Sequence, residues 1–191
     1  LFLSIYERMV EMRNRYLKPI IEKFKKQDMA VFEIIYGEFK KLIENGAKEL
    51  PITDEGMTRF WITLEDGVKF VLKNFARMQG GELFIPKIPS MKIIDLAATL
   101  APNLPIKIIG IRPGEKLHEI MISADDTMHS LEFDDHYVIG PSIKFYDKEA
   151  DFAINRLGEK GRAVSSNFEY RSDNNTQWLN QQSLKEMMER I

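Results

Sequence analysis

The chain has 191 residues, of which 44% are hydrophobic and 29% charged, and its formal net charge at pH 7 is −2. This length and composition predict one globular domain with a buried core and an added segment. The negative balance, with no basic stripe, excludes a sequence-independent nucleic-acid binder. The absence of cysteine excludes disulfides, thiolate zinc sites and cysteine catalysis, and it is consistent with a cytoplasmic protein. No apolar run reaches the roughly 20 residues of a membrane span.

Residues 1–45 have the pattern of helices. Apolar residues recur every three or four positions and define one helical face: Ile5, Met9, Met12, Tyr16, Ile20 and Phe24. Pro19 is expected to divide this helix, and a second helix is expected to begin after Asp28 and end at Asn45-Gly46. Because an apolar stripe needs a covering surface, residues 1–45 are predicted to be a helical extension that packs on the rest of the chain or forms a homo-oligomer.

Residues 46–145 alternate predicted strands with predicted helices. Strands are expected at 60–62, 82–86, 106–111 and 137–139, helices at 64–78 and 91–100, and either at 117–122. The helix at 64–78 is expected to turn its apolar side chains inward, namely Val68, Val71, Leu72 and Phe75. The alternation predicts an α/β or α+β lobe rather than a helical bundle.

Residues 146–191 are polar and rich in loops, and they are predicted to end in a helix. That helix is expected at 183–191, with Ser183 as its N-cap. Its apolar face is expected to consist of Leu184, Met187, Met188 and Ile191. The tail is therefore assigned to the second domain, which is predicted to span residues 46–191.

The most informative motif is IGIRPGEKLHE at residues 109–119, directly after a predicted apolar strand. The planar guanidinium of Arg112 can bind a phosphate through two parallel hydrogen bonds. Pro113 and Gly114 favour a tight, stiff turn that would hold Arg112 and Glu115 in place. A cation and a carboxylate on such a turn suit a ligand that carries phosphates and sugar hydroxyls.

Further motifs occur in the order PITD at 51–54, MTRFWI at 57–62, DGVKF at 66–70, FIPKIPSMK at 84–92 and SDNNTQW at 172–178. Together with the Arg112 motif, they resemble the C-terminal part of extended short-chain dehydrogenases. The resemblance is to the inverting UDP-N-acetylglucosamine 4,6-dehydratases, which open the pseudaminic acid pathway for flagellin glycosylation, and it covers residues 36–180. It implies the substrate-binding lobe of such an enzyme, with a UDP-sugar as ligand.

The resemblance also implies roles for individual residues. Arg59 and Arg112 are expected near the nucleotide diphosphate, and Glu115 is expected at the ribose hydroxyls. Lys87 is expected to approach the ligand, and Asn174 is expected to bind a base edge. Each has a structural alternative: a surface charge for Arg59, a turn pair between Arg112 and Glu115, a solvated side chain for Lys87, and a polar turn for Asn174.

Members of this family bind NADP through a strand, a glycine-rich turn and a helix, and they use a Tyr-x-x-x-Lys pair. No Gly-x-Gly-x-x-Gly occurs in this chain, and the glycines at 80–81 and 158–161 lack that context. Tyr36 and Lys40 have the Tyr-x-x-x-Lys spacing, but any helix places such a pair on one face. The sequence therefore predicts neither a cofactor site nor a catalytic residue in this chain, and a lobe that is inactive alone.

Two alternatives remain at the level of sequence. The chain can be an incomplete representation of an active NADP-dependent dehydratase, or it can be an interaction module whose N-terminal helices mediate association. The three histidines, His118, His129 and His136, have no metal-ligand spacing, so no metal site is predicted.

Overall fold

The computed structural model describes residues 31–141 and 151–189, and it confirms the predicted α/β class. The predicted helix that carries the Ile5 to Phe24 stripe lies outside these residues. Within them, the helices are α1 Val31–Glu44, α2 Leu64–Arg77, α3 Ile93–Leu100 and α4 Gln181–Met188, with a 3-10 helix at Ala124–His129. The strands are β1 Leu50–Ile52, β2 Thr58–Phe60, β3 Leu83–Pro86, β4 Ser90–Lys92, β5 Ile106–Ile108, β6 Ile120–Ile122, β7 Ser130–Glu132, β8 His136–Ile139, β9 Arg162–Ala163 and β10 Tyr170–Arg171.

The strands form small sheets whose partners are distant in sequence. β1 pairs with β5 in parallel, whereas β2 pairs with β4 and β6 pairs with β10 antiparallel. The largest sheet among the described residues is antiparallel, in the order β3-β8-β7-β9. Contact between the first pair continues beyond β5, because Ile109 N donates to Ile52 O at 2.9 Å and Gly110 N donates to Thr53 O at 3.1 Å. This extension leads directly into the Arg112 turn.

The larger core lies around helix α3. Leu96 in α3 is fully buried, and Leu50 of β1 and Leu184 of α4 pack in the same cluster. Helix α1 contributes Phe39, and Trp61 fills the space beyond β2. Apolar burial from four separate elements thus joins the tail residues to the rest of the lobe.

The helix ends follow local side-chain and backbone chemistry. Helix α1 stops where expected, since Gly46 has φ of 74°, its N–H donates to Ile43 O at 3.0 Å, and Ala47 N donates to Leu42 O. At α4 the prediction of Ser183 as N-cap is wrong. Asn180 is the cap, its Oδ1 accepts from Ser183 N at 2.9 Å, and Ser183 Oγ accepts from Asn180 N at 2.8 Å. Ser183 is the third helical residue of a capping box.

Helix α2 lies where predicted, but its predicted inward face is only partly correct. Val68 and Leu72 are half-buried, whereas Val71 and Phe75 are 53% and 59% exposed, and the polar Asn74 and Arg77 are buried instead. The physical reason is electrostatic. Arg77 forms ion pairs with Asp135, which directly precedes β8, and with Glu159, which precedes β9. Because of these ion pairs, the polar side of α2 that carries Arg77 faces the four-stranded sheet.

Several predicted boundaries also shift. The strand expected at 60–62 is β2 at Thr58–Phe60, because β2 pairs with β4 through those residues. The helix expected at 91–100 begins at Ile93, since Met91 belongs to β4. The ambiguous segment at 117–122 contains strand β6, and the strand expected at 106–111 ends at Ile108. The strand pairing in the folded protein, rather than the local sequence pattern, sets where these elements begin and end.

Candidate functional site

The Arg112 turn has a fixed backbone and an exposed cation. Glu115 N donates to Arg112 O at 3.0 Å, and Gly114 has φ of 84°, a conformation that favours glycine. The Glu115 carboxylate accepts from Arg112 N at 3.2 Å and from Thr53 Oγ1 at 3.1 Å, which ties the turn to the end of β1. In the described parts of the chain, the exposed Arg112 guanidinium makes no hydrogen bond or ion pair. The alternative of a turn residue paired with Glu115 is confirmed for the Arg112 backbone, whereas the guanidinium takes no part in that pair.

Arg59 lies behind this turn rather than on the open surface. Its Nη1 donates to Thr58 O at 2.7 Å and to Leu117 O at 3.1 Å, and its Nη2 donates to Lys116 O at 2.8 Å. The side chain is 12% exposed, so the alternative of a surface charge is wrong. Its Nε lies 3.8 Å from Glu119 Oε1. Arg59 thus holds the segment that follows the Arg112 turn.

Two residues of this site had no role assigned from the sequence. Thr53 bonds Glu115, and Glu119 accepts from Phe60 N at 2.7 Å while facing Arg59. Glu119 closes the motif that begins at Ile109, so its position was visible, but its partners in β2 were not. The structure therefore brings Arg59, Arg112 and Glu115 into one unit.

Lys87 lies in a different part of the lobe, just after β3. Its Nζ is 2.8 Å from Glu132 Oε1 and 4.9 Å from the centroid of the Tyr137 ring. The side chain is 18% exposed, so the favoured alternative of a solvated lysine is wrong. Burial raises the pKa of Tyr137 to about 12, and the neutral phenol forms an apolar support beneath the cation.

Asn174 closes a local turn after β10. Its Oδ1 accepts from Arg171 N at 3.1 Å, and its Nδ2 donates to Glu169 O at 3.1 Å. The residue is exposed, and the neighbouring Asp173 Oδ2 lies 3.7 Å from His118 Nε2. The turn thus lies against the segment that Arg59 holds, although the side-chain amide of Asn174 is occupied by the backbone of Arg171 and Glu169.

A separate charged network joins α2 to the four-stranded sheet. Arg77 Nη2 lies 2.9 Å from Asp135 Oδ1, and its Nε lies 2.6 Å from Glu159 Oε2. His136 Nδ1 lies 2.8 Å from the same Asp135 oxygen, and its ring stacks on Phe133. Burial lowers the pKa of His136, and its Nε2 has no partner among the described residues. His136 is therefore held neutral.

Unlike the neutral His136, the two carboxylates of the network are ionised. Burial raises the pKa of Asp135, but hydrogen bonds from Lys73, His136 and Arg77 outweigh it and bring the pKa well below its usual range. The hydrogen bond from Arg77 lowers the pKa of Glu159. Both carboxylates therefore stabilise the folded protein above about pH 4, and this contribution is lost as the pH falls through their folded-state values.

Acidification is expected to reduce stability in two stages. The unfolded chain binds a proton at His136 near pH 6.5, whereas burial lowers the pKa of the imidazole in the folded protein, so the free energy of unfolding falls as the pH drops below about 6.5. Replacement His136→Phe should flatten this stage in urea titrations, and the carboxylate stage below about pH 4 should persist. A first stage that survives His136→Phe would contradict this assignment.

The glycines and the Tyr36–Lys40 pair among the described residues do not fit a dinucleotide cofactor. Gly80 and Gly81 follow α2 and precede β3, the reverse of the strand-to-helix order that cradles a pyrophosphate. At Gly161 an added Cβ would lie 2.5 Å from Phe133, so that glycine is required by packing. Tyr36 packs against the core cluster and Lys40 is exposed. NADP therefore has no cradle in the part of the chain that the structure describes.

Residues 31–141 and 151–189 hold neither a metal-binding cluster nor a membrane-spanning helix. They contain no group of three or more histidine, cysteine, aspartate or glutamate side chains arranged for a metal ion. No helix there has the length and apolar content to cross a membrane.

Known proteins resemble this chain over most of its length. A UDP-N-acetylglucosamine 4,6-dehydratase (inverting) of Campylobacter jejuni serotype O:2 is 68% identical over 150 residues, which are 78% of this chain and 45% of that protein. A UDP-glucose 4-epimerase of Rickettsia canadensis is 32% identical over 146 residues, 74% of this chain and 41% of the relative. The chain thus spans less than half the length of these relatives.

A solved structure also resembles this chain in its fold. The X-ray structure of Pen from Bacillus thuringiensis matches with a TM-score of 0.61 at 24% identity, over 82% of this chain and 44% of that one. The likeness supports the α/β fold, and the sequence resemblance to the inverting dehydratases is confirmed. Residues 34–141 match the model of the family described as polysaccharide biosynthesis protein. The chain belongs to the polysaccharide biosynthesis protein family.

Proposed function

We propose that residues 46–191 form a lobe that binds a nucleotide sugar, UDP-N-acetylglucosamine, through the Arg112 turn, and that the lobe alone does not catalyse a reaction. The observation that carries this proposal is the exposed Arg112 guanidinium on a backbone fixed by Glu115 and Thr53. Little conformational entropy is lost when a diphosphate binds to a turn that is already rigid. A planar fork can also grip two phosphate oxygens at once.

The geometry of Glu115 supports a second contact. Its carboxylate accepts from Thr53 Oγ1 and Arg112 N, yet a carboxylate offers about four lone-pair sites. The remaining capacity suits the two hydroxyls of a ribose. Arg59 supports the turn from behind in this proposal, and ligand contacts by Lys87 and Asn174 stay predictions.

A second candidate follows from the length comparison. The dehydratase relative is more than twice as long as the region that it shares with this chain. We therefore also propose that, joined to the remainder of such a protein, this lobe acts in an NADP-dependent dehydratase, with flagellin glycosylation through pseudaminic acid as its pathway and the cytoplasm as its location. The two candidates share one binding site and differ in whether chemistry occurs in the chain alone.

Calorimetric titration of UDP-N-acetylglucosamine is expected to give a binding isotherm that Arg112→Ala weakens about tenfold to hundredfold, since a charge-assisted bidentate contact contributes about 1.5–3 kcal/mol. Lys107→Ala is the matched control, because Lys107 is an exposed cation on β5 that pairs with Glu49. Its affinity should change little. NADP⁺ should give no heat.

Two outcomes would contradict the proposed binding of the nucleotide sugar. One is a folded protein that gives no heat with UDP-N-acetylglucosamine. The other is uridine binding as tightly as the nucleotide sugar, since uridine lacks the diphosphate that Arg112 is proposed to hold.

A further inference from the structure

We infer that the buried hydroxyls of Thr58 and Ser172, together with His118, position the Arg112 turn for the diphosphate without touching it. This inference rests on the proposed function for its ligand, but not for its geometry. Thr58 lies in β2, His118 follows the turn, and Ser172 follows β10, so three segments distant in sequence meet here.

The three side chains form one continuous hydrogen-bond chain. Thr58 Oγ1 lies 2.7 Å from Ser172 Oγ and 2.8 Å from His118 Nδ1. Ser172 Oγ accepts from Glu119 N at 2.9 Å and donates to Thr58 O at 3.2 Å. Ser172 is 0% exposed and Thr58 3% exposed, so water cannot replace these bonds.

Backbone bonds connect this lock, defined as Thr58, His118 and Ser172, to the turn. Thr58 N donates to Leu117 O at 3.1 Å, and Ser172 N donates to Glu119 O at 2.9 Å. Residues 117–119 are thereby clamped between β2 and the residues after β10. The Arg112 turn directly precedes this clamp, so its position depends on the lock on one side and on Thr53 on the other.

The imidazole lies between Thr58 and Asp173, and among the described residues its hydrogen bond is to Thr58 alone. His118 Nδ1 meets Thr58, and its Nε2 lies 3.7 Å from Asp173 Oδ2. A valine at position 58 would keep the shape of threonine but remove the Thr58 hydroxyl that bonds the buried Ser172 Oγ and His118 Nδ1, and Ser172 Oγ would keep only Glu119 N and Thr58 O as partners. A serine would keep the hydroxyl.

The test compares Thr58→Val with Thr58→Ser by amide hydrogen exchange and by titration with UDP-N-acetylglucosamine. In the valine variant the amides of Glu115 and Glu119 should exchange at least about tenfold faster, while those of Leu96 and Ala97 in α3 keep their rates. The affinity should weaken about tenfold in the valine variant and stay within about twofold of the parent in the serine variant. Ser172→Ala serves as a second variant with the same expectation.

Three results would overturn the inference: unchanged exchange at Glu115 and Glu119, equal acceleration across the whole protein, or serine behaving like valine. Local acceleration in a protein that never binds UDP-N-acetylglucosamine would support the lock and reject the proposed ligand. The two proposals therefore fail separately.

Discussion

Replacement of Arg77 by alanine is expected to lower the free energy of unfolding by about 3 kcal/mol. The guanidinium is 2% exposed and pairs with Asp135 and Glu159 while it donates to Asn74 Oδ1. Removal of one partner from a buried ion pair costs about 3–5 kcal/mol, and the lower end applies because the two carboxylates are about two-fifths exposed. Urea denaturation measures the loss.

Lys73 supplies the matched control for this variant. It pairs with the same Asp135 at 2.8 Å, but its side chain is 53% exposed, so Lys73→Ala should cost less than about 1 kcal/mol. Arg77→Lys should recover only part of the loss, because an ammonium cannot bond both carboxylates with the geometry of a planar fork. Equal losses in Arg77→Ala and Lys73→Ala would show that burial of Arg77 has no energetic role.

Replacement of Leu184 by alanine is expected to cost about 2–5 kcal/mol, the range for a large-to-small change in a packed core. Leu184 is fully buried, and α4 packs on α3. Because the core is shared, thermal unfolding of the variant should remain a single transition at a lower temperature, with the tail and the lobe unfolding together. Lys185→Ala, on the exposed side of α4, should change the midpoint little.

Separation of the transition into two steps would contradict this expectation. It would mean that residues 151–189 fold as a unit of their own. The prediction therefore tests the assignment of the tail to the same domain as residues 46–141.

Local sequence chemistry predicted the helices better than the strands. Helix α2 was placed from its apolar periodicity to within a residue at each end, and in the structure Thr63 accepts from Asp66 N as its N-cap. Its orientation was not predictable, because periodicity identifies an apolar face but not the partners that pull the other face inward. β1 was missed because its partner β5 lies more than 50 residues away, in the register Leu50↔Ile106.

In the candidate site, too, local features were predictable from the sequence and tertiary contacts were not. The Arg112 turn was predictable from Pro113 and Gly114, whose backbone preferences act within four residues. Arg59 was identified from the resemblance, but its donation to Lys116 O and Leu117 O depends on tertiary structure. The roles of Thr58 and Ser172 were not visible, because a hydroxyl acquires a defined partner only when distant segments meet.

The late position of several partner strands has a consequence for synthesis. β6, β7 and helix α3 emerge from the ribosome before β10, β9 and α4, with which they pair or pack. At about 5–20 residues per second, the nascent chain waits on the order of 2–10 s between residue 139 and residue 188. During that interval the edge of β7 is open to chaperones or to other nascent chains until β9 emerges, the edge of β6 until β10 emerges, and one apolar side of α3 until α4 emerges. This lobe is therefore expected to complete its folding only after residue 188 has left the exit tunnel.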